Sequence, residues 1–553
     1  MNKNEYDVIV IGSGGTGLSA ALAAAEHKAD VLVLDAYKAW GGTTGFSGGL
    51  LWIPNNHHMH QIGGRDSRQE ILNYMQTCMP DREDQKRWEA FVDKAPEMLR
   101  FLEKTTPLRF ASVYFPDSFA DLPGGSTYRH VEPQALKMNC IGPWKERLID
   151  QHGINDSAPF PLTYAEITAM LKKGLKAVFQ KGLVIPYRMA TGRVTQQKAL
   201  LSGLLKGCLD RKVEIVLKAR VLELTHEKGE VKGVIGELDG EHFEIKARKG
   251  VIMATGGFSW NEAYKQEFLP GPLEHSMTPA TNKGDGIALS RQVGADLRFM
   301  DEAWYWAAIH KPGLEWEGVP MGLIAIYVRT LPHAIVVNRQ GRRFANESAH
   351  NFANAFYENK NPETGDLPNL PCWAVFDQNW RESSSEFAAG ISPGKPLPDF
   401  VQQADSLDEL ARKLGIDPQG LAATVERFNG FVKEGKDLDF HRGETSYDQF
   451  YTRTRLYGNW QEDASSSGNL GTIAKPPFYA LELKTSSVGT KGGTMTNDDW
   501  QALRSDGSVI EGLYAVGNCS ATIIGPITVA AASTLGVGMT AAYIAGRHAS
   551  ART

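Results

Sequence analysis

Three glycines near the start of the chain, Gly12, Gly14 and Gly17, stand in G-x-G-x-x-G spacing within YDVIVIGSGGTGLSAALAAAEHKADVLVLDA. That spacing serves a particular chemistry. The first glycine permits a tight turn, the second lets backbone approach a pyrophosphate, and the third lets helix and strand pack closely. Gly15 extends the bare backbone, and the helix that follows offers unpaired N–H groups to phosphate. Asp35, 18 residues after Gly17, stands where a carboxylate would accept from a ribose hydroxyl. A second run of small residues, GGTTGFSGG, follows at once. Its Gly41, Gly42, Thr43, Thr44, Ser47, Gly48 and Gly49 would let backbone N–H groups reach a ring-bearing cofactor. The pair of loops points to a flavin dinucleotide, FAD. No second G-x-G-x-x-G follows a strand, which argues against a separate nicotinamide domain.

These residues need rigid elements around them. DVIVI and DVLVL are short, continuous apolar runs, as strands buried on both faces should be, and LSAALAAAEH between them reads as an Ala-rich helix. Residues 69–104 have helical period and read as a surface pair of helices, while 105–190 are loop-rich. QQKALLSGLLKGCLDRK reads as a further helix, leading into a meander of short strands that ends at GVIMATGG. At 553 residues the chain exceeds one ordinary core. A net charge of −5 gives no electrostatic reason for a nucleic-acid partner. Five scattered cysteines, never in C-x-x-C spacing, fit a reducing cytoplasm rather than a disulfide framework. The chain opens without an apolar leader pattern, and a cytoplasmic location is expected. Residues 512–546 pass without a charged side chain. Gly, Pro, Asn, Ser and Thr interrupt that run too often for a membrane span. A buried core helix or the wall of a cofactor site remains, and the upstream fingerprint favours the wall.

The opening fingerprint with GGTTGFSGG and WIPNN resembles the flavoprotein group that contains fumarate reductases and 3-ketosteroid dehydrogenases. GVIMATGGFSWN, NKGDGIALSRQVGADL, VVNRQGRRFANES, FHRGETSYDQFY, PPFYALEL, VGTKGGTMT and GLYAVGN follow in order, and strengthen the likeness to the 3-ketosteroid Δ1-dehydrogenase branch. The resemblance covers nearly the whole chain. It implies an α/β fold: a discontinuous Rossmann-like FAD-binding domain at 1–277 and 446–553, with an α+β substrate domain inserted at 278–445. It implies non-covalent FAD, met also by Val221, Thr255, Gly256, Asp285, Gly517, Asn518, Ser533 and Leu535. Ser533 and Thr534 are N-cap candidates for a final helix whose positive end would face the flavin.

The resemblance also implies a reaction. Such enzymes desaturate the α,β bond of a ketone, losing an α proton to a base and a β hydride to the flavin. The ketone oxygen must be polarised by fixed donors, and the base must lie within hydrogen-bond reach. The family uses a Tyr hydroxyl and a backbone N–H before the last helix, a Tyr base after the RF-x-N-E motif, and a supporting Tyr in an early loop. Here Thr528 and Ala532 occupy the first two places, Asn351 the third, and Ser118 or Phe119 the last. The remaining candidates for base are His350, adjacent to Asn351, Tyr187, with Arg188 beside it, and Tyr114 in the early loop. The substrate expected is a 3-ketosteroid or a smaller alicyclic ketone, with a quinone, a carrier protein or dioxygen as electron acceptor. The alternatives are fumarate-reductase-like reduction of an unsaturated carboxylate or enone, for which Arg343 and His350 leave room, and a flavin carrier without catalysis. Trp304, Tyr305 and Trp306 in WYWAAIHKPG are candidates for an apolar pocket. His57, His58 and His60 in HHMH carry no metal expectation, since no carboxylate or Cys clusters with them in sequence.

Overall fold

The computed structural model describes residues 1–82, 84–149, 160–173, 182–384, 389–452 and 468–553, with 170–173 described by backbone alone. The alternation of apolar strand and Ala-rich helix produces a parallel sheet at its centre. Strand Glu5–Ile11 lies between Val31–Asp35 and Glu241–Met253, parallel to both. Glu214–Leu217 adds to one side and Val509–Ala515 to the other, again parallel. The meander Ala219–Glu227, Glu230–Leu238 and Glu241–Met253 hangs from this sheet, and only its last strand joins the parallel order. Residues from both ends of the chain therefore build one sheet.

A second, antiparallel sheet carries the inserted lobe. Its order runs Val319–Ile324, Ala303–Trp316, Phe478–Thr490, Cys372–Phe376, Ala334–Asn338. Phe478–Thr490 lies past residue 445, so a segment expected to return to the flavin fold closes this sheet instead. The 13-residue strand can reach across because it is buried along most of its length and pairs with three neighbours.

Helix Gly15–Glu26 is so rich in alanine because it is covered on nearly every side. The C-terminal helix Ser533–Ala551 lies on it: a Cβ at Gly546 would meet the Ala20 carbonyl oxygen at 2.5 Å. At the other end of that helix, a Cβ on Gly536 would meet the Trp52 carbonyl oxygen at 2.1 Å. The small residues of 533–546 thus serve close backbone packing. No helix of the described residues is long and apolar enough to cross a membrane.

The helices expected over 69–104 form as Arg68–Cys78 and Gln85–Thr105, and their inner faces, including Phe91, Val92 and Leu99, join the main core. The fingerprint glycines divide their work as the spacing requires. Gly12 has φ +112°, and a Cβ there would meet the Ala254 carbonyl oxygen at 2.4 Å. At Gly17 it would lie 1.9 Å from the Gly12 carbonyl oxygen. Gly17→Val should therefore separate helix from strand, an overpacking cost of about 1–3 kcal/mol. A lower thermal midpoint and loss of co-purifying FAD are the expected readouts; an unchanged midpoint would refute the packing role.

Candidate active site

The parallel strands end together at Ile11, Asp35, Met253 and Ala515. Beyond those ends lies a cavity of about 680 Å³, the position at which open α/β sheets bind ligands. Gly12, Gly14 and Gly15 line it, together with Asp35 and the small-residue loop from Gly42 to Gly49. Val221, Thr255, Gly256, Asp285, Gly517, Asn518 and Leu535 also face it. Three expected contacts do not. Gly17 is consumed by the helix–strand packing above. Gly41 donates its N–H to the Ser13 carbonyl and turns away. Ser533 spends its hydroxyl on the Ala530 carbonyl at 2.7 Å, while Thr534 faces the cavity in its place.

The lining fits a dinucleotide cofactor. Both helices that begin at the cavity lack a side-chain cap: Gly14 is the N-cap of Gly15–Glu26 and Ala532 that of Ser533–Ala551. Ala532, rather than Ser533 or Thr534, is the cap residue because the chain enters this helix in the left-handed region, at φ +60°. Two helix N-termini on the wall of one cavity present positive dipole ends to a ligand. A Cβ on Gly48 would meet nothing within 4 Å, so the loop leaves open space there. The buried Nε1–H of Trp304, also on the wall, has no partner among the described residues. Asp35 accepts from Ser13 N at 2.8 Å, Ser13 Oγ at 2.5 Å and Tyr37 N at 2.9 Å. A carboxylate has about four acceptor positions, so capacity for a further donor remains. Asp285 is paired with Arg220 at 2.6 Å on the rim.

Past the C-terminal helix start the same cavity becomes aromatic. Trp304 and Trp306 reach it from alternate positions of strand Ala303–Trp316, while Tyr305 between them packs into the core of the inserted lobe. Phe115, Tyr164, Tyr327 and Tyr451 complete the chamber, beside Thr528 and Ala530–Ala532. Three phenols from three distant segments thus converge. Burial pushes Tyr164 and Tyr451 well above the usual phenol range. At Tyr451 the Tyr447 hydroxyl and the Arg329 guanidinium oppose that rise.

The candidates for base fare differently. Tyr187 sits on helix Val184–Ala190, 53% exposed, off the cavity lining. Arg188 does not serve it, being bound to Glu166 at 2.5 Å. Tyr114 is also off the lining and 40% exposed, packed against Tyr128 and Phe450. Both are excluded for a shared reason: their side chains face solvent, off the cavity. His350 does line the cavity, with Nδ1 2.6 Å from Ser118 Oγ and its ring stacked on Tyr447 at 4.8 Å. Burial, aided by the Arg329 charge, pulls its pKa down to about 3. A wall imidazole held neutral so firmly is a poor proton acceptor. Asn351 proves to be a backbone clamp: Thr528 N donates to its Oδ1 at 2.6 Å, and its Nδ2 donates to the Thr528 carbonyl at 3.0 Å.

That clamp belongs to a larger set. From Ala521 to Ala532 the backbone is irregular and, apart from the exposed Pro526, buried or half-buried, so its carbonyls need outside donors. Arg87 takes Ala521, Trp88 takes Ile523, Tyr74 takes Val529 and His130 takes Ala531, at 2.6–2.9 Å. Lys491 takes Gly525, Pro526 and Ile527. The Ala532 N–H, in contrast, has no hydrogen-bond partner among the described residues, and Ala532 lies on the cavity wall.

Two expectations about charged groups are corrected by tertiary contacts. Arg343 is buried away from the cavity, held by Glu347 at 2.7 Å and Asp437 at 2.8 Å. Glu103, 45 residues from His58, comes between His57 and His58, with Nε2–O distances of 2.7 and 2.8 Å. A carboxylate does cluster with the HHMH histidines, and both rings already spend their Nε2 atoms on it.

The comparisons with known proteins agree with this geometry. A family described as an FAD binding domain matches residues 7–535. A 3-oxosteroid 1-dehydrogenase of Mycobacterium tuberculosis is 34% identical, over 99% of this chain and 99% of its own. A 4-oxocyclohexanecarboxylate 2-dehydrogenase of Sinomonas cyclohexanicum is also 34% identical, over 99% of this chain and 93% of its own. Among solved structures, a 3-ketosteroid Δ1-dehydrogenase from Sterolibacterium denitrificans, in complex with 1,4-androstadiene-3,17-dione, superposes with TM-score 0.89 at 31% identity, covering 99% and 100% of the two chains.

The buried histidines make stability pH-dependent. His350 and His130 titrate near 3 and 4 in the folded protein, against 6.5 when solvated. The unfolded chain therefore binds these protons first as pH falls below 6.5, and stability declines towards the folded values. The urea midpoint should be lower at pH 5 than at pH 7.5, and His130→Gln should flatten that difference. Equal dependence in the variant would refute the assignment.

Proposed function

The chain belongs to the FAD binding domain family, in the group of the 3-oxosteroid 1-dehydrogenases, and from that membership we propose how its residues desaturate a cyclic ketone. The protein is an FAD-dependent oxidoreductase acting on CH–CH groups. Bound FAD supplies the acceptor for the hydride that leaves the β carbon. The residues that would hold it are Gly12, Gly14, Gly15 and Asp35, the loop Gly42–Gly49, Val221, Thr255, Gly256, Asp285, Gly517, Asn518, Thr534 and Leu535.

The chain's own part is to acidify and remove the α proton. The Ala532 N–H and the Thr528 hydroxyl polarise the ketone oxygen, reinforced by the positive end of helix Ser533–Ala551. Tyr451 takes the proton. It is assigned this role because the Arg329 charge favours its phenolate. Tyr164 and Tyr327 stand beside it as the relay to water. Phe115, Trp306 and neighbouring apolar groups hold the ring and exclude water.

One observation carries this reading: an unpartnered N–H at a helix start opens into an aromatic chamber where tyrosine hydroxyls meet. Among the described residues, that end of the cavity presents no cation. It therefore suits a neutral alicyclic ketone, steroid or smaller ring, and not fumarate. Arg343 is locked away, and Arg220, the arginine of the lining, is already paired with Asp285. The five unpaired cysteines accord with the cytoplasm as its location.

Anaerobic mixing of the FAD-loaded protein with cyclohexanone or 4-androstene-3,17-dione should bleach the flavin, and fumarate should leave the reduced protein unoxidised. Reoxidation by fumarate without bleaching by any ketone would overturn the reading. Tyr451→Phe should slow bleaching by about 10²-fold or more with FAD content unchanged, and Tyr187→Phe should stay within about twofold of the native rate.

A further inference from the structure

We propose that Lys491 is a positioning residue that fixes the shape of the ketone-binding segment by donating to three consecutive backbone carbonyls. The inference rests on the role given above to Thr528 and Ala532. Lys491 follows the long strand Phe478–Thr490 and is 1% exposed. Its Nζ lies 2.8 Å from the Gly525 oxygen, 3.2 Å from Pro526 and 3.1 Å from Ile527. An ammonium has three hydrogens and no acceptor, so this tripod uses each hydrogen once. A neutral amine has two, and would leave one buried carbonyl facing a lone pair.

The segment has few other holds at this point. Pro526 has no N–H, and the Gly525 N–H is spent on the Met79 sulfur. Asn354 reaches only the Pro526 oxygen, from an exposed position. Thr528 comes next in the chain, followed by the cavity residues Ala530–Ala532. Lys491 also stands 4.5 Å over the ring of Trp304, which itself lines the cavity. The lysine is thus directly behind the site without lining the main cavity.

The charged and titratable groups facing it are Glu302, Arg82 and His350. Arg82 pairs with Glu302. Burial pulls the lysine down to about 7; Glu302 opposes this and Arg82 adds to it. Loss of the ammonium proton as pH rises would take one hydrogen from the tripod. A base at Tyr451 gains from higher pH, so the two groups bound activity from opposite sides.

The test combines hydrogen exchange with kinetics on the FAD-loaded protein. In Lys491→Met, exchange across residues 522–532 should quicken about tenfold or more while the parallel sheet is unchanged. The value of kcat for ketone desaturation should fall about tenfold or more, with FAD content retained. Lys491→Arg, which stays charged, should recover part of kcat and lose the alkaline limb whose midpoint lies near neutrality in the native enzyme. Native exchange at 522–532, corrected for intrinsic rates, should be faster at pH 8.5 than at pH 6. That measurement decides the matter even where Lys491→Met fails to fold. Unchanged exchange in Lys491→Met, or none of this pH dependence in the native protein, would overturn the proposal. A native protein that no ketone bleaches, but whose segment loosens in Lys491→Met, would sink the proposed reaction and leave the clamp standing.

Discussion

The structure depends on a buried, irregular run of backbone being satisfied by side chains. Residues 521–532 cannot form a helix or join a sheet and still present Thr528 and Ala532 to the cavity. The segment is nevertheless largely buried or half-buried, and a buried carbonyl left unpaired would cost about 1–3 kcal/mol. Six side chains, Arg87, Trp88, Tyr74, His130, Asn351 and Lys491, supply the missing donors. They come from the early helices, the early strands, the inserted lobe and the second sheet. The folding of both lobes is thereby tied to the shape of one short segment.

The same constraint explains the distribution of charge. The segment itself is chargeless, so the field at the site comes from backbone and from groups set behind it. Two helix N-termini, neither capped by the side chain of its own N-cap residue, lie on the cavity wall. At the first, Thr44 Oγ1 takes the Gly15 N–H; at the second, the Ala532 N–H is left for a ligand. Ionic groups near the site are spent on structure: Arg129 on Asp66 and Asp117, Arg343 on Glu347 and Asp437. The chamber is left neutral and aromatic, which suits a ring ketone and an oxyanion that appears only during reaction.

The departures from the family pattern follow from this arrangement. At the position where the resemblance implies a phenol base, Asn351 grips the Thr528 backbone from both sides; in the early loop, Ser118 holds His350 in place. The phenols have not vanished from the site. They arrive from other segments, at Tyr164, Tyr327 and Tyr451, so one aromatic chamber is furnished from different points of the chain.

The parallel sheet and the glycine turn could be read from the chain alone, because local spacing dictates them, and most residues expected to hold the dinucleotide line the cavity. Gly12, Gly14 and Gly17 act through backbone geometry within one strand–turn–helix unit, and Asp35 ends the adjacent strand. The exceptions were instructive: Gly41 and Ser533 lie beside the cavity in sequence, yet single hydrogen bonds turn them away. The proton-handling residues could not be read so. Tyr187 and His350 were plausible by neighbourhood, but exposure removes one and burial neutralises the other. Tyr451 and Lys491 carry no local signature, since a tyrosine in a short helix and a lysine after a strand are commonplace. Their roles exist only because folding brings Arg329 to the first, and three consecutive carbonyls to the second. Spacing along a chain specifies backbone turns, whereas desolvation and convergence of distant side chains are properties of the packed molecule.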